Sequence, residues 1–427
     1  MKFDVPKNVN YAASIVRVPE PQTVPGLDNL VAVPMFGYQV LTQKADIKAG
    51  DLRVLFVAET QLSEEYARLN DLHREPTLNA DATAKPGYLE PNRRVKAIRL
   101  RKNPSNALLM PLESLAYTGI DVTGLEPGDT FDTLNGHEVC RKYEAPGKRV
   151  QGVPGQPKIR QRVDQKLFPM HLDTEHLFRN WQAFREPKWV VVTQKLHGTS
   201  IRIGRVPAVR DKGWLERVVV NKWLRIPTPD TAFEDVAGSR RVIKGRSDNN
   251  HFYDSDIWAD YARKLEGMIP ENFVVYGELI GWENDEKPIQ KDYTYNLRPG
   301  ESELYVYRVA TVNGQGVIAD LSWEGVEQFC AAIGVKTVPV IHRYEEYATA
   351  EDEPNITRSY TEAYLDTNLS NKFSAPIPLS NPLSVDEGVC VRVEGQVPRI
   401  YKAKSPIFLE HETRQLDKGE ESLEDAA

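Results

Sequence analysis

A lysine lies where an apolar strand pattern runs into a glycine turn. The segment Gln194-Lys195-Leu196-His197-Gly198-Thr199-Ser200 follows an apolar run at 189–193. A lysine in this position is expected to be partly desolvated, which favours the neutral amine, and no carboxylate stands next to it in the sequence. A neutral amine is a nucleophile, and Gly198 would let the backbone pass close to a bound ligand. The segment therefore predicts covalent catalysis by Lys195.

The polar groups downstream of Lys195 distinguish its Lys-x-x-Gly sequence from a chance occurrence of that pattern. Lys-x-x-Gly occurs a second time at Lys264, within an amphipathic helical pattern that would leave the lysine in solvent. Three further polar elements follow Lys195 in apolar strand patterns: Gly277-Glu278, Glu387-Gly388 with Arg392, and Lys402-Ala403-Lys404. The two-residue period of a strand puts the ammonium groups of Lys402 and Lys404 on one face. Two charges on one face are costly in a core but suit the binding of phosphate groups.

Composition predicts a cytoplasmic protein of two domains that does not enter a membrane. The 427 residues are too many for one ordinary domain, and no apolar run is long enough for a membrane span or a signal peptide. Three cysteines far apart predict no disulfide framework.

The charged residues are unevenly distributed along the chain. The net charge is −7, but seven acidic residues lie within 410–427, and Arg93–Lys102 holds six basic ones. A second basic block covers Arg141–Lys166. Such blocks are either a solvated face or a phosphate-backbone surface.

The elements that must position these groups fall into two sets. Before residue 145, short strand patterns at 13–18, 30–42, 52–58 and 95–100 alternate with turn residues, and one helix is predicted at 63–72. We therefore expect a small closed β barrel. Residues 146–169 are rich in Pro, Gly and charge and predict a linker. Stronger strand patterns after Trp189, with helices at 256–268 and 323–333, predict an antiparallel α+β domain at 170–409. The last 18 residues predict a short helix that continues into an acidic tail, 410–427.

The order Lys-x-x-Gly, Gly-Glu, Glu-Gly-x-x-x-Arg and Lys-x-Lys resembles that of the covalent nucleotidyltransferases, which include RNA ligases, DNA ligases and mRNA capping enzymes. Only 23 residues follow Lys404, too few for the OB domain that DNA ligases and capping enzymes carry there. An N-terminal β domain before the lysine, with Arg93–Leu115 in it, resembles the nick-sealing RNA ligases. The fold class this implies is α+β, with an OB-like nucleic-acid-binding domain at 1–145 and a nucleotidyltransferase domain at 170–409.

The resemblance implies an ATP-dependent RNA ligase that forms lysyl-AMP, transfers AMP to a 5′-phosphate and seals it to a 3′-hydroxyl. Its cofactors would be ATP and Mg²⁺ or Mn²⁺, its partner a nicked RNA or RNA–DNA duplex, and its state a monomer. The residues that the resemblance implies for catalysis are Lys195, Lys402 and Lys404. Those implied for the nucleotide are Gln194, Leu196, Gly198, Arg202, Arg246, Glu278, Tyr307 and Glu387. Glu278 and Glu387 are also the implied metal ligands.

Two positions depart from the pattern of this family. Gln194 stands where RNA ligases often have Glu, which would alter base preference if the side chain contacts the base. Arg308 stands where the aromatic strand often ends in Asp; Tyr305 and Tyr307 precede it, are predicted to share one strand face, and Tyr307 is the candidate to stack on adenine. A DNA ligase, a capping-type guanylyltransferase and a non-catalytic nucleic-acid-binding protein remain as alternatives.

Overall fold

The computed structural model describes residues 3–35, 37–144, 162–180, 188–240, 242–244, 256–346, 379 and 385–419. Arg246 lies outside these ranges, as do residues 146–161 of the predicted linker and 420–427 of the predicted tail. All three cysteine thiols are free. Within the described ranges no helix combines the length and the apolar character that a bilayer crossing requires.

The N-terminal part consists of short strands and one helix, as its many turn residues predict. In chain order these elements are β1 (Ala13–Arg17), β2 (Gln22–Thr23), β3 (Leu30–Met35), β4 (Tyr38–Gln43), β5 (Leu52–Val57), β6 (Thr60–Leu62), α1 (Glu64–Leu69), β7 (Ile98–Leu100), β8 (Asn103–Ser105), β9 (Ala107–Pro111), β10 (Thr130–Phe131), β11 (Thr133–Leu134), β12 (His137–Glu138) and β13 (Cys140–Lys142). Ser63 caps α1 by accepting a hydrogen bond from the backbone N–H of Tyr66 at 3.0 Å, as its cap pattern predicts.

These strands pair in several sheets. A four-stranded sheet has the order β10-β1-β5-β9, a three-stranded sheet has the order β2-β3-β4, and three strand pairs complete the set. Strand β5 is buried on both faces, because Val54 and Phe56 pack into one core while Leu55 and Val57 pack into a second. In residues 3–35 and 37–144 the hydrogen-bonded strands do not close into one barrel, since β9 and β10 are the edges of the main sheet.

The C-terminal part is an antiparallel α+β structure, as predicted. Its elements are β14 (Glu175–His176), β15 (Lys188–Gln194), β16 (Thr199–Val209), a π helix (Glu216–Trp223), β17 (Thr231–Gly238), α2 (Ile257–Lys264), β18 (Phe273–Gly281), β19 (Ser302–Val312), β20 (Ile318–Asp320), α3 (Trp323–Ile333), β21 (Lys336–Thr337), β22 (Val340–Glu346), β23 (Gly388–Val393), β24 (Arg399–Lys404) and α4 (Pro406–Asp417). Strands β17 and β22 and the π helix were not predicted from the sequence.

Two sheets of this part meet at the lysine turn. One has the order β14-β24-β23-β15-β22, and the other has the order β17-β16-β18-β19-β20 with β21 beside β19. The chain passes from the first sheet to the second between β15 and β16, so Lys195 lies at the junction. The end of the predicted linker is part of this fold, because Val163 and Phe168 are buried and pack against the second sheet.

Helix α4 packs on the N-terminal part and carries acidic groups to the basic block at 93–102. Arg94 is buried; its Nη1 lies 2.8 Å from Oε2 of Glu59, and its Nη2 also contacts Asp417 of α4. Thr413 of α4 donates its hydroxyl to Glu59 at 2.6 Å. Nε of Arg99 lies 2.7 Å from Glu410. The boundary that the sequence predicts between the domain at 170–409 and the acidic tail thus falls inside α4, which contacts the N-terminal part.

Replacing Arg94 by Met tests this network. The substitution leaves Glu59 buried without its cation, and losing one partner of a buried ion pair costs about 3–5 kcal/mol. We expect a large fall in the thermal unfolding midpoint by differential scanning calorimetry. Arg99→Met is the matched control, because the Arg99 side chain is 42% exposed and such pairs contribute about 0–1 kcal/mol. Equal decreases in the unfolding midpoint of the two variants would contradict the stabilising role of the buried Arg94–Glu59 pair.

Candidate active site

A cavity of about 440 Å³ opens where the two C-terminal sheets meet. Its walls come from β15, β18, β19, β23 and β24 and from the segment that leads into β14. The residues that line it are His171, Leu172, Asp173, Thr174, Glu175, Asn180, Thr193, Gln194, Lys195, Leu196, Ser200, Arg240, Tyr276, Glu278, Tyr307, Arg308, Trp323, Val338, Cys390, Arg392, Pro398, Arg399, Ile400, Tyr401 and Lys402. The cavity is thus large enough for a small-molecule ligand and is lined by both cations and aromatic rings.

Lys195 lies in the cavity wall and is held by a carboxylate from a distant part of the sequence. Its Nζ lies 2.8 Å from Oε1 of Glu387, and its side chain is 15% exposed. Oε2 of the same carboxylate lies 3.3 Å from Nδ1 of His197. No carboxylate stands next to Lys195 in the sequence, but the fold supplies one. Strand β23 pairs with β15, and Gly388 accepts a hydrogen bond from the Lys195 backbone N–H at 2.9 Å, which brings Glu387 to the lysine.

The turn after the lysine is fixed by close contacts. A Cβ atom on Gly198 would lie 2.1 Å from the carbonyl oxygen of Leu279, so only glycine fits. The backbone N–H of His197 donates to the Tyr295 hydroxyl at 2.7 Å, and Gln290 donates its side-chain amide to the Gly198 carbonyl at 3.0 Å. These contacts hold the Lys195 backbone rigidly against β18.

Glu278 is the second carboxylate of the site and lines the cavity. It lies directly opposite Ser200 in the pairing of β16 with β18. Its Oε1 accepts a hydrogen bond from the Gly198 backbone N–H at 3.1 Å, and its Oε2 accepts one from the Ser200 hydroxyl at 3.2 Å. The sequence order thus correctly brings Glu278 to the lysine turn, and its carboxylate faces the space beside Lys195.

The aromatic wall contains one of the two tyrosines that were predicted to share a face. Tyr276 pairs with Arg308 and Gly277 with Val306, so Tyr307 is an extra residue in β19, a β-bulge. Tyr307 and Arg308 consequently both line the cavity. Tyr305 instead donates its hydroxyl to Glu303 at 2.8 Å and is buried in the core.

The bulge places Arg308 beside the cavity in a fixed orientation. Its guanidinium lies 4.6 Å from the centre of the Tyr276 ring and is ion-paired with Asp320. The hydroxyl of Tyr307 is hydrogen-bonded to Nδ1 of His171. Burial raises the pKa of Tyr276 to about 12, so its phenol stays neutral.

The two lysines of β24 have different surroundings. Lys402 lines the cavity, opposite Cys390 in the pairing of β23 with β24. Lys404 is buried, and its Nζ lies 3.0 and 3.1 Å from the two carboxylate oxygens of Glu412 in α4. Lys404 does not line the cavity. The predicted pair of phosphate-facing ammonium groups is therefore reduced to Lys402 in this structure.

Gln194 and Arg202 are both buried, but only Gln194 lines the cavity; Arg202 lies behind its wall. The Gln194 side chain bonds to the backbone of Leu379 in both directions, at 2.6 and 3.0 Å, and donates to Asp386 at 2.9 Å. Arg202 is 1% exposed, and its guanidinium lies 4.8 Å from the centre of the Phe168 ring. Burial lowers the pKa of Arg202 to about 10. Leu196 lines the cavity and packs in the adjoining core.

The segment before β14 contributes residues that the sequence did not predict. His171, Asp173 and Glu175 line the cavity, and Arg240 after β17 is ion-paired with Asp173 at 2.5 Å. This segment has no strand or helix periodicity, and it reaches the cavity only because β14 pairs in parallel with β24. The pair Arg240-Arg241 is the one sequence signal that could have indicated a cationic wall here.

Two buried histidines should make the fold less stable in acid. Burial holds the pKa of His171 and of His176 well below the usual value, and nearby arginines lower it further. The unfolded chain binds these protons below about pH 6.5, whereas the folded chain does not. The stability that these two neutral histidines contribute should therefore be complete above about pH 6.5, and the free energy of unfolding should fall as the pH drops below that value. Urea unfolding at pH 7.5 and 5.5 measures this loss of stability. The prediction would be contradicted if the free energy of unfolding of His171→Gln/His176→Gln fell between these two pH values by as much as that of the wild-type protein.

The comparisons with known proteins place this site in a family. The sequence model of the RNA ligase family matches residues 188–404, just over half of the chain, and this span contains every described candidate residue. The chain belongs to the RNA ligase family. No curated protein sequence matched the chain.

Solved structures of one RNA ligase have the same fold over almost the whole length. A Naegleria gruberi RNA ligase variant with a lysine-to-alanine change, bound to ATP and Mn, is 17% identical, with a TM-score of 0.58 over 95% of this chain and 99% of that chain. A variant bound to AMP and Mn is 16% identical, with a TM-score of 0.58 over 93% and 98%. The same ligase with pyrophosphate is 18% identical, with a TM-score of 0.56 over 94% and 98%. At these identities the likeness shows the fold, including that of the N-terminal part.

Proposed function

We propose that this RNA ligase uses ATP to activate RNA ends through a lysyl-AMP intermediate on Lys195. The observation that carries the proposal is the 2.8 Å contact between Nζ of Lys195 and Oε1 of Glu387 in the wall of a cavity shared with Glu278, Tyr307 and Lys402. A nucleophilic amine, a fixed carboxylate, an aromatic ring and a second cation are what adenylyl transfer requires. Of the ligands in the Naegleria structures, ATP and pyrophosphate are the substrate and a product of that step, and AMP is the group that is transferred.

The first step would form a bond between Nζ of Lys195 and the α-phosphorus of ATP and break the bond from that phosphorus to pyrophosphate. Nζ must lose its proton before it attacks, and Oε1 of Glu387 is positioned to accept it. Lys402 faces the same cavity and would neutralise charge on the α-phosphate, which is the main contribution a protein makes to phosphoryl transfer.

The second and third steps would use the same cavity. An oxygen of the RNA 5′-phosphate attacks the adenylyl phosphorus, the phosphorus–nitrogen bond breaks, and the proton returns to Nζ of Lys195. The 3′-hydroxyl then attacks the activated 5′-phosphate, and AMP leaves. Throughout, orientation of the nucleotide would hold the reacting atoms in line.

The remaining roles divide between direct and supporting residues. We propose that Tyr307 stacks on the adenine and that Glu278 contacts the ribose or a metal. Gly198 allows the lysine turn to approach Leu279 closely and so positions Lys195 for the nucleotide, Leu196 and Gln194 line the cavity beside the nucleotide, and Arg202 supports the wall from behind. Lys404 would act on phosphate only after release from Glu412. Arg246 is proposed as a ribose or phosphate contact from the family pattern alone.

A divalent cation fits this donor set. The carboxylates of Glu278 and Glu387, together with nucleotide phosphates, offer the hard oxygen ligands that Mg²⁺ or Mn²⁺ prefers. The described residues contain no cluster of three acidic, histidine or cysteine side chains for a metal, so phosphate oxygens would have to complete the ligand set. Such an ion would neutralise the triphosphate and polarise the bond that breaks.

We further propose that the protein acts as a monomer on nicked RNA or RNA–DNA duplexes. In this division, residues 1–145 form an OB-like nucleic-acid-binding domain, 146–169 a linker, 170–409 the nucleotidyltransferase domain and 410–427 an acidic tail. Arg94, Lys96 and Arg99 are paired with four acidic residues, two of them in α4, so duplex binding would use other cations of the N-terminal domain.

A panel of 5′-phosphorylated substrates tests this function. We expect ATP-dependent sealing of a nick in duplex RNA, or opposite a DNA splint, and weaker joining of single strands. Equal sealing of an all-DNA nick would favour the DNA ligase alternative. Activity with GTP alone, and transfer to a 5′-diphosphate end, would favour a capping-type guanylyltransferase. RNA binding without any covalent step would favour a non-catalytic binding protein.

A further inference from the structure

The connection between β16 and β17 (residues 210–230) extends beyond the rest of its sheet. Strand β16 pairs with β18 only over Thr199–Gly204, but it continues with β17 to the pair Val209–Thr231. Beyond Gly204 its other edge is covered by isolated bridges, such as that of Ala208 with Val163, so the connection begins at the end of the β16–β17 hairpin. Along β16, nine residues separate Ser200, at the cavity, from Val209, which is about 30 Å at the rise of a β-strand.

This connection exposes several large apolar side chains. Its exposed apolar residues are Trp214 (68%), Leu215 (66%), Val218 (39%), Trp223 (81%), Leu224 (53%) and Ile226 (52%). The π helix Glu216–Trp223 buries none of its residues. Trp214 and Leu215 directly precede this helix, and Trp223 and Leu224 lie at its C-terminal end.

The same connection carries cations that no acidic group neutralises. Arg217, Lys222 and Arg225 are exposed, and within the described ranges none of the three has an ion-pair partner. Two other cations of the connection are neutralised, since Arg210 is paired with Glu216 and Lys212 with Asp230 at 2.7 Å. The exposed tryptophans are thus accompanied by a surplus of positive charge.

We propose that residues 210–230 form a platform that binds an unpaired RNA strand. Base rings would stack on Trp214 and Trp223, and phosphates would contact Arg217, Lys222 and Arg225. Exposed aromatic rings with unneutralised cations are the combination that binds single-stranded nucleic acid. The proposal rests on the proposed function, because an RNA ligase must hold RNA. It adds a site for an unpaired strand that extends from the nicked duplex, about 30 Å from the reacting ends.

Charge complementarity selects RNA among the occupants of such a surface. A purely apolar protein partner would gain nothing from the three unneutralised cations. A membrane surface would use both features, since tryptophan and basic residues also suit the lipid interface. RNA is favoured because the platform is continuous, through β16, with the turn that carries Lys195. Vesicle binding is therefore an outcome of the test below.

Equilibrium binding of a fluorescein-labelled single-stranded RNA, measured by anisotropy, tests the platform. Stacking of a base on an aromatic ring is worth about 1–3 kcal/mol. Trp214→Ala/Trp223→Ala should therefore weaken binding at least about tenfold, and Trp214→Phe/Trp223→Phe should retain most of the affinity. Trp189→Ala is the matched control, since Trp189 is 59% exposed on β15 of the other sheet. We expect RNA affinity to be unchanged in this control.

A charge variant and a vesicle assay complete the test. In Arg217→Gln/Lys222→Gln/Arg225→Gln, the slope of log affinity against log salt should fall by about 2, since each phosphate contact to a single strand contributes about 0.7. Unchanged RNA binding in both the tryptophan and the charge variants would overturn the proposal. So would binding of wild-type protein to phosphatidylserine vesicles that Trp214→Ala/Trp223→Ala abolishes while RNA binding persists. Lysyl-AMP formation by wild-type protein needs no RNA, so it tests the proposed function separately.

Discussion

Lys195→Ala should abolish ligation that starts from ATP but should spare sealing of RNA whose 5′ end already carries AMP. Without the amine no phosphorus–nitrogen bond can form, so we expect ATP-dependent ligation to fall at least about a thousandfold. The final step joins a 3′-hydroxyl to an activated phosphate and does not use Lys195 as a nucleophile. Product formation from phosphorylated and pre-adenylylated RNA, compared on denaturing gels, measures both activities.

The second Lys-x-x-Gly sequence supplies a matched control for this experiment. Lys264 is exposed on α2, with its Nζ 4.1 Å from the centre of the Tyr261 ring, and it has no place in the cavity. Lys264→Ala should ligate phosphorylated RNA at the wild-type rate. Loss of ATP-dependent ligation in Lys264→Ala but not in Lys195→Ala would reverse the assignment of the nucleophile.

Glu387→Gln should slow lysine adenylylation strongly while leaving the protein folded. Gln has the same shape as Glu but carries no negative charge, so the contacts of Lys195 and His197 lose their anionic partner. A positioned proton acceptor contributes about 10²–10⁴-fold to a rate, and we expect a loss in this range. Single-turnover adenylylation at saturating ATP measures the effect on the chemical step, free of changes in nucleotide affinity.

A carboxylate elsewhere in the same domain controls for the loss of charge. Glu303 is ion-paired with Lys336 at 2.7 Å, and it does not line the cavity. Glu303→Gln should adenylylate at the wild-type rate. If Glu387→Gln also retained that rate and only its apparent affinity for ATP changed, Glu387 would be a ligand-binding residue and not the proton acceptor.

The local features of this site were predictable from sequence, but its central contact was not. Apolar runs, turn residues and caps predicted β15, β16, β18, β19 and the helices α2 and α3, and the motif order selected Lys195 and Glu278. The contact between Lys195 and Glu387 depends on β23 pairing with β15 across 192 residues. Nothing in the sequence next to either residue specifies that pairing.

Register irregularities and long-range charge pairs limited the remaining predictions. Strict alternation predicts that Tyr305 and Tyr307 share a face, but a single extra residue in β19 separates their surroundings. Similarly, the basic block and the acidic C-terminus were interpreted as separate features. The fold brings them together, since Arg94 and Arg99 contact α4 across more than 300 residues. The same helix explains why Lys404 faces Glu412 and not the cavity.

Covalent labelling tests the central claim most directly. The protein, cleared of bound nucleotide, is incubated with α-labelled ATP and Mg²⁺, denatured and resolved on a gel, in parallel with Lys195→Ala and with α-labelled GTP. A lysyl-AMP bond is a phosphoramidate, which survives denaturation and is cleaved by acid. We therefore expect label on the wild-type protein from ATP alone, and we expect acid to release it. Label that persists in Lys195→Ala, or its absence from folded wild-type protein with either nucleotide, would contradict the assignment of Lys195 as the adenylylated residue.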